Sequence, residues 1–141
     1  MEYFTRKAYE ATQAPKGRKA WHQLEKQYTT HLRSINPLLK DGWRSVATQD
    51  LSDEVLQVAE RPAFDQVILE LESHVLILRG VRQARLPEPT VEPPSWICHE
   101  IHVVDDDTVE LKVLLSEGEI RVTAEEARIY CSDAGAFRRT A

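Results

Sequence analysis

The spacing of apolar residues changes near position 50, and the change divides the chain into a helical part and a strand part. Between residues 16 and 34 the apolar positions are Trp21, Leu24, Tyr28 and Leu32, followed by Ile35, steps of three and four that fall on one helical stripe. Residues 3–13 predict a shorter helix, with Thr5 as its N-cap, Phe4, Ala8, Tyr9 and Ala11 on its apolar side, and Pro15 and Gly17 ending it. Asn36-Pro37 has the cap and first-turn chemistry of another helix start. Leu38, Leu39, Trp43 and Val46 form its expected buried side, with Asp41-Gly42 an early stop.

Beyond Asp50 the period becomes two. Val55, Leu56 and Val58 predict a strand that ends at Arg61-Pro62, because proline cannot donate to a ladder. In 66–72, Val67, Leu69 and Leu71 alternate with Gln66, Glu70 and Glu72. Residues 74–86 read as one richer strand, and its Val75-Leu76-Ile77-Leu78 run is apolar on both faces, as in a strand covered on both sides. Residues 87–95 carry four prolines and predict an extended crossing loop.

In the last third, Ile97, Ile101 and Val103 alternate with Cys98, Glu100 and His102, and Val109, Leu111, Val113 and Leu115 alternate with Glu110, Lys112 and Leu114. Taking Asp105-Asp106-Asp107 as a three-residue loop sets Val103 opposite Val109 and Ile101 opposite Leu111 on a core face. The same register puts Glu100 beside Lys112 and His102 beside Glu110 on a wetter outer face. Glu117-Gly118 as a two-residue turn pairs Leu115 with Ile120 and Val113 with Val122. The alternation lapses over 123–127, predicting a bend or a helical turn before a short edge strand at 128–131. The expected fold class is α+β, with N-terminal helices packed on an antiparallel sheet, or partly open barrel, of about six strands. One domain spans 1–141: helical over 1–48, antiparallel strands over 50–131, and a flexible tail over 132–141.

Composition adds little to this picture but excludes several functions. At 141 residues, 42% hydrophobic and 29% charged, the chain can bury a core without staples. Its net charge of −5 gives no general attraction to phosphate backbones. The basic spot Arg6, Lys7, Lys16, Arg18 and Lys19 is diluted by Glu2, Glu10 and Glu25, and Arg138-Arg139 close a small-residue tail, so nucleic acid is not an expected partner. No charged-then-apolar leader opens the chain, and no apolar run approaches the ~20 residues of a membrane span. Cytoplasmic residence is expected, with Cys98 and Cys131 as reduced thiols, although their pairing stays open.

Cys98, Glu100 and His102 are the weak metal candidates, three ligand types on one face of one strand. Same-face neighbours on a strand lie about 7 Å apart, and the hairpin register offers Glu100 and His102 charge partners, so no metal is expected. Asp105-Asp106-Asp107 lacks the alternating carboxylates, central glycine and closing glutamate of a calcium loop, and reads as a hairpin tip. His99 faces away from Cys98 and reads as a satisfied core histidine. Trp21, Tyr28 and Trp43 read as core aromatics. No nucleophile elbow, phosphate loop or dinucleotide fingerprint is present, so neither enzymatic activity nor a cofactor is expected.

The opening Tyr3-Phe4-Thr5-Arg6-Lys7, the block Trp96-Ile97-Cys98-His99-Glu100-Ile101, the strand Glu110-Leu111-Lys112-Val113-Leu114-Leu115 and Gly118-Glu119-Ile120 carry a resemblance. They resemble a bacterial family of unknown function that opens with Tyr-Phe-Thr-Lys and ends in Trp-Leu-Tyr-(Asp/Glu)-Glu, Glu-Leu-His-x-Leu-Leu and Gly-Glu-Leu segments. Cys98 and His99 replace its tyrosine and acidic residue, and Lys112 its histidine. The resemblance implies a bacterial cytoplasmic protein with helices before sheet, and no catalytic residues.

The expected function is therefore a non-enzymatic protein-interaction module of accessory or immunity type. Its partner surface would be the acidic face of Glu100, Asp105, Asp106, Asp107 and Glu110, with the proline loop and an exposed sheet edge that also allows a homodimer in place of a monomer. The alternative is a small-molecule or metal-binding protein whose closed pocket, between helices and sheet, holds at least two of His31, His99 and Cys98.

Overall fold

The computed structural model describes residues 1–132, so the tail expected over 132–141 lies, but for Ser132, outside the described residues. Helix α1 (Arg6–Glu10) starts as expected, with the Thr5 hydroxyl accepting the Ala8 N–H at 3.1 Å, and runs into a 3-10 turn at Ala11–Gln13. The long helix α2 (Pro15–Ile35) begins on Pro15, whose missing N–H costs nothing in a first turn. Gly17 belongs to this second helix, where a Cβ would stand 1.7 Å from the Ala11 carbonyl oxygen. Asn36–Leu38 makes only a 3-10 turn, and α3 (Asp41–Thr48) opens at the Asp41-Gly42 pair expected to stop a helix. Leu39, Trp43 and Val46 are buried, whereas Leu38 is exposed.

Among the described residues eight strands follow, where about six were expected: β1 (Leu56–Ala63), β2 (Gln66–Leu71), β3 (His74–Arg79), β4 (Gln83–Arg85), β5 (Trp96–Val103), β6 (Val109–Leu115), β7 (Glu119–Ala124) and β8 (Glu126–Cys131). They form two antiparallel sheets ordered β1-β2-β3-β8 and β4-β7-β6-β5, an α+β architecture without a closed barrel. The run expected as one strand over 74–86 breaks at Gly80, whose φ of 65° sends the chain into the second sheet. The expected bend at 123–127 is Glu125 alone, which returns the chain to the first sheet without a helical turn. The two crossovers meet, since the Glu125 N–H points at the carbonyls of Arg79 (3.1 Å) and Gly80 (3.3 Å). Pro62 lies inside β1 instead of ending it. That strand is an edge, and its register shifts between Glu60 and Ala63, the two circumstances in which a sheet admits proline.

The β5–β6 register is the expected one, Val103 opposite Val109 and Ile101 opposite Leu111. Between β6 and β7 the pairing is Leu111 with Val122 and Val113 with Ile120, two residues away from expectation. The turn is Ser116-Glu117, closed by the Leu115 N–H on the Gly118 carbonyl at 3.1 Å, and Gly118 takes its φ of 89° just after it. A slip of two leaves every side chain on its own face. One core then joins Leu69, Leu76 and Leu78 of the first sheet to Ile101, Leu111 and Val122 of the second, with Trp43 and Trp96 fully buried among them. Among the described residues no helix is long and apolar enough to cross a membrane.

Candidate functional site

Strand β5 is one edge of the second sheet, and the side chains able to do chemistry gather around it. Helix α2 runs along this edge. Tyr28 and His31, one turn apart, serve a single residue: the Tyr28 hydroxyl accepts the Ile101 N–H at 2.8 Å, and His31 Nε2 donates to the Ile101 carbonyl at 2.9 Å. Burial raises the pKa of the Tyr28 phenol well above its ordinary value; the Ile101 amide opposes this, and the charge of Glu100 adds to it.

Glu100 departs most from expectation. It sits opposite Lys112 as the register requires, yet its side chain is fully buried and does not face solvent. Residues 1–4 cross over it as a strap. Its carboxylate accepts the backbone N–H groups of Glu2 (3.0 Å), Tyr3 (2.9 Å) and Phe4 (2.7 Å), and His102 Nε2 at 2.9 Å. A carboxylate has about four lone-pair positions, so these four donors leave none for a metal ion. Burial alone would raise its pKa; the bonds from His102 and the three amides outweigh burial and hold it at about 2, against an ordinary 4.5. His102 also reaches the Glu2 carboxylate through Nδ1 at 3.2 Å, so it bridges strap and strand instead of pairing with Glu110.

The remaining candidates separate. Glu110 is mostly buried, with Arg121 Nε at 2.8 Å and Lys112 Nζ at 3.5 Å. Asp105, Asp106 and Asp107 stay exposed at the hairpin tip, where Asp105 accepts the Asp107 N–H at 2.9 Å. The acidic face expected to run from Glu100 to Glu110 is thus reduced to that tip. His99 is satisfied on both sides, its Nε2 donating to the Val46 carbonyl at 2.8 Å and its Nδ1 accepting the Trp96 indole N–H at 3.1 Å. Burial lowers its pKa, which keeps the ring neutral. The half-buried Cys98 thiol is pushed up to about 12, by burial first and the Glu100 charge second, and is no nucleophile at neutral pH. Cys98 and Cys131 are both free thiols, on strands of different sheets.

Cys98 and His99 do share a cavity. A cleft of about 440 Å³ lies between α2, the 49–52 loop and the start of β5, with Phe4, Trp21 and Leu51 among its walls. It is open to solvent, unlike the closed pocket anticipated for a site between helices and sheet, and His31 is not part of it. Sequence reasoning missed both the strap and this cleft. The strap's one local signal was the adjacent aromatic pair Tyr3-Phe4 ahead of the first cap, and Phe4 is now found buried against Trp21 and Tyr28.

No protein-family model matches the chain, and no curated protein is significantly similar to it.

Proposed function

We propose that this protein is a non-enzymatic interaction module of accessory or immunity type, acting in the cytoplasm of a bacterium and binding a protein partner. The observation that supports this reading is the exposed end of the β5–β6 hairpin, where Val104 presents an apolar side chain directly before Asp105, Asp106 and Asp107. An apolar contact rimmed by exposed carboxylates suits a basic partner surface. The groups that could do chemistry are meanwhile spent on structure: Glu100 on the strap, His31 and Tyr28 on a strand edge, His99 on the Val46 carbonyl. Self-association by edge pairing would fall to β4 or to the part of β1 beyond Leu56, because α2 bonds to the β5 edge, α3 abuts β8 and the Leu56 N–H is taken by the Pro94 carbonyl. Native mass spectrometry of the protein purified from its own host tests the reading. A stoichiometric protein partner is expected, lost when Asp105, Asp106 and Asp107 are all changed to lysine. A partner retained by that variant, or no protein partner at all, overturns it.

A further inference from the structure

The β5 strand begins with a bulge. Trp96 pairs with Leu115 and Cys98 with Leu114, so Ile97 is an extra residue opposite no partner. Strict alternation would carry Ile97 to the core face with His99 and Ile101; the bulge gives the core position to Trp96, fully buried, and turns Ile97 outward. Bulges recur beside binding sites because they re-aim a side chain in this way.

Ile97 lands in a cleft of two lobes that share it and Trp21 as a common wall. One lobe, about 410 Å³, continues from Ile97 and Trp21 to Tyr9, an apolar and aromatic wall rimmed by Thr12, Arg18, His22 and Asp53. The other, about 440 Å³, is bounded by Glu25, Asp50 and Cys98. Each lobe is large enough for a small molecule. Trp21 departs from the other two tryptophans: Trp43 and Trp96 are fully buried, while Trp21 remains half-exposed on the cleft side of α2.

Among the described residues lining the cleft, carboxylates outnumber fixed cations: Arg18 and Asp53 both line the aromatic lobe, while Glu25 and Asp50 line the other, where there is no Lys or Arg and His99 is engaged by Val46. His22 of the aromatic lobe bonds the Glu25 carboxylate at 3.2 Å, which makes Asp50 the principal partner for a cation. Asp50 is anchored as a carboxylate by the Ser52 hydroxyl at 2.6 Å and the Ser52 N–H at 3.0 Å. We infer that this cleft binds a small organic amine with an apolar body. The body packs on Trp21 and Ile97, and the ammonium group points to Asp50 and Glu25, where the indole face also attracts a cation. This site is separate from the hairpin tip and stands whether or not that tip binds a protein.

Three probes of one shape and different charge test it on the full chain: phenethylamine, 2-phenylethanol and phenylacetate, each titrated while amide NMR shifts are followed. Saturable shifts at residues 49–52 and 97–98 are expected with phenethylamine at millimolar concentration, with binding of the neutral alcohol weaker by about fivefold or more and none of the carboxylate. Asp50→Asn should weaken the amine by about fivefold and leave the alcohol unchanged; Glu25→Gln, on an exposed helix face, gives the same contrast if Asp50→Asn alters the loop. Equal binding of amine and alcohol, preference for the carboxylate, or no saturable shift at these residues overturns the inference.

Discussion

The Tyr28 hydroxyl stands 2.8 Å from the Ile101 amide nitrogen, so a helix side chain completes the hydrogen bonding of a sheet edge. An edge amide in this position is buried and needs a partner. Tyr28→Phe keeps the ring and removes only the acceptor, and should cost about 1–3 kcal/mol in urea unfolding, the penalty of one unsatisfied buried donor. An unchanged midpoint would mean that water reaches the Ile101 amide.

Glu100→Gln tests the strap. One Glu100 oxygen accepts Tyr3 and Phe4, the other Glu2 and His102, so an amide nitrogen must face donors whichever way it turns. A loss of about 2–4 kcal/mol is expected. Its pKa is lower folded than unfolded, so its contribution is complete above its ordinary 4.5 and fades as pH falls towards about 2. That contribution is roughly 3 kcal/mol. Acid unfolding of the wild type should therefore steepen in this window, and Glu100→Gln should lose that part of the slope.

Gly42→Ala sets two effects against each other. Alanine favours a helix by about 1 kcal/mol over glycine. In α3, however, the added Cβ would lie 1.7 Å from the Ala127 carbonyl oxygen of β8, a backbone atom that cannot rotate away. The clash should win, with a lower melting temperature and a net loss of about 1–3 kcal/mol.

The two thiols should differ in alkylation. Cys131 is exposed, while Cys98 is half-buried with its thiol pushed up to about 12. Iodoacetamide at pH 8 should label Cys131 first, and peptide mapping should show Cys98 trailing until the protein is denatured. Equal rates in the native protein would show that the Cys98 environment opens readily.

The parts of the fold legible in the sequence are those governed by near neighbours. The Thr5 cap, the α2 stripe and the β5–β6 register each rest on residues within a turn or a hairpin of one another. The β6–β7 register was missed by two because Gly118 served equally well inside the turn or just beyond it. Residues 74–86 read as continuous because Gly80 is one small residue between Arg79 and Val81, and nothing local says that the chain leaves one sheet there. Glu100 was assigned to a wet face by alternation, which distinguishes two faces but not whether a distant segment covers the second. The segment that covers it lies at the opposite end of the helical region. The cleft was illegible for a similar reason, since the bulge at Ile97 depends on the pairing of β5 with β6 and leaves no mark in the pattern of residue types.

The position of β8 matters during synthesis. This strand follows the other described strands in sequence, yet it fills the place beside β3, where Leu76 faces Ile129 and Leu78 faces Ala127. At translation rates of about 5–20 residues per second, β3 leaves the ribosome several seconds before its second neighbour exists. Throughout that interval the nascent chain carries Val75-Leu76-Ile77-Leu78 with one row of amides and carbonyls unanswered, a template for any passing strand. A chain without residues 126–131 would keep that edge of β3 open, so β8 seals the first sheet against pairing with other strands.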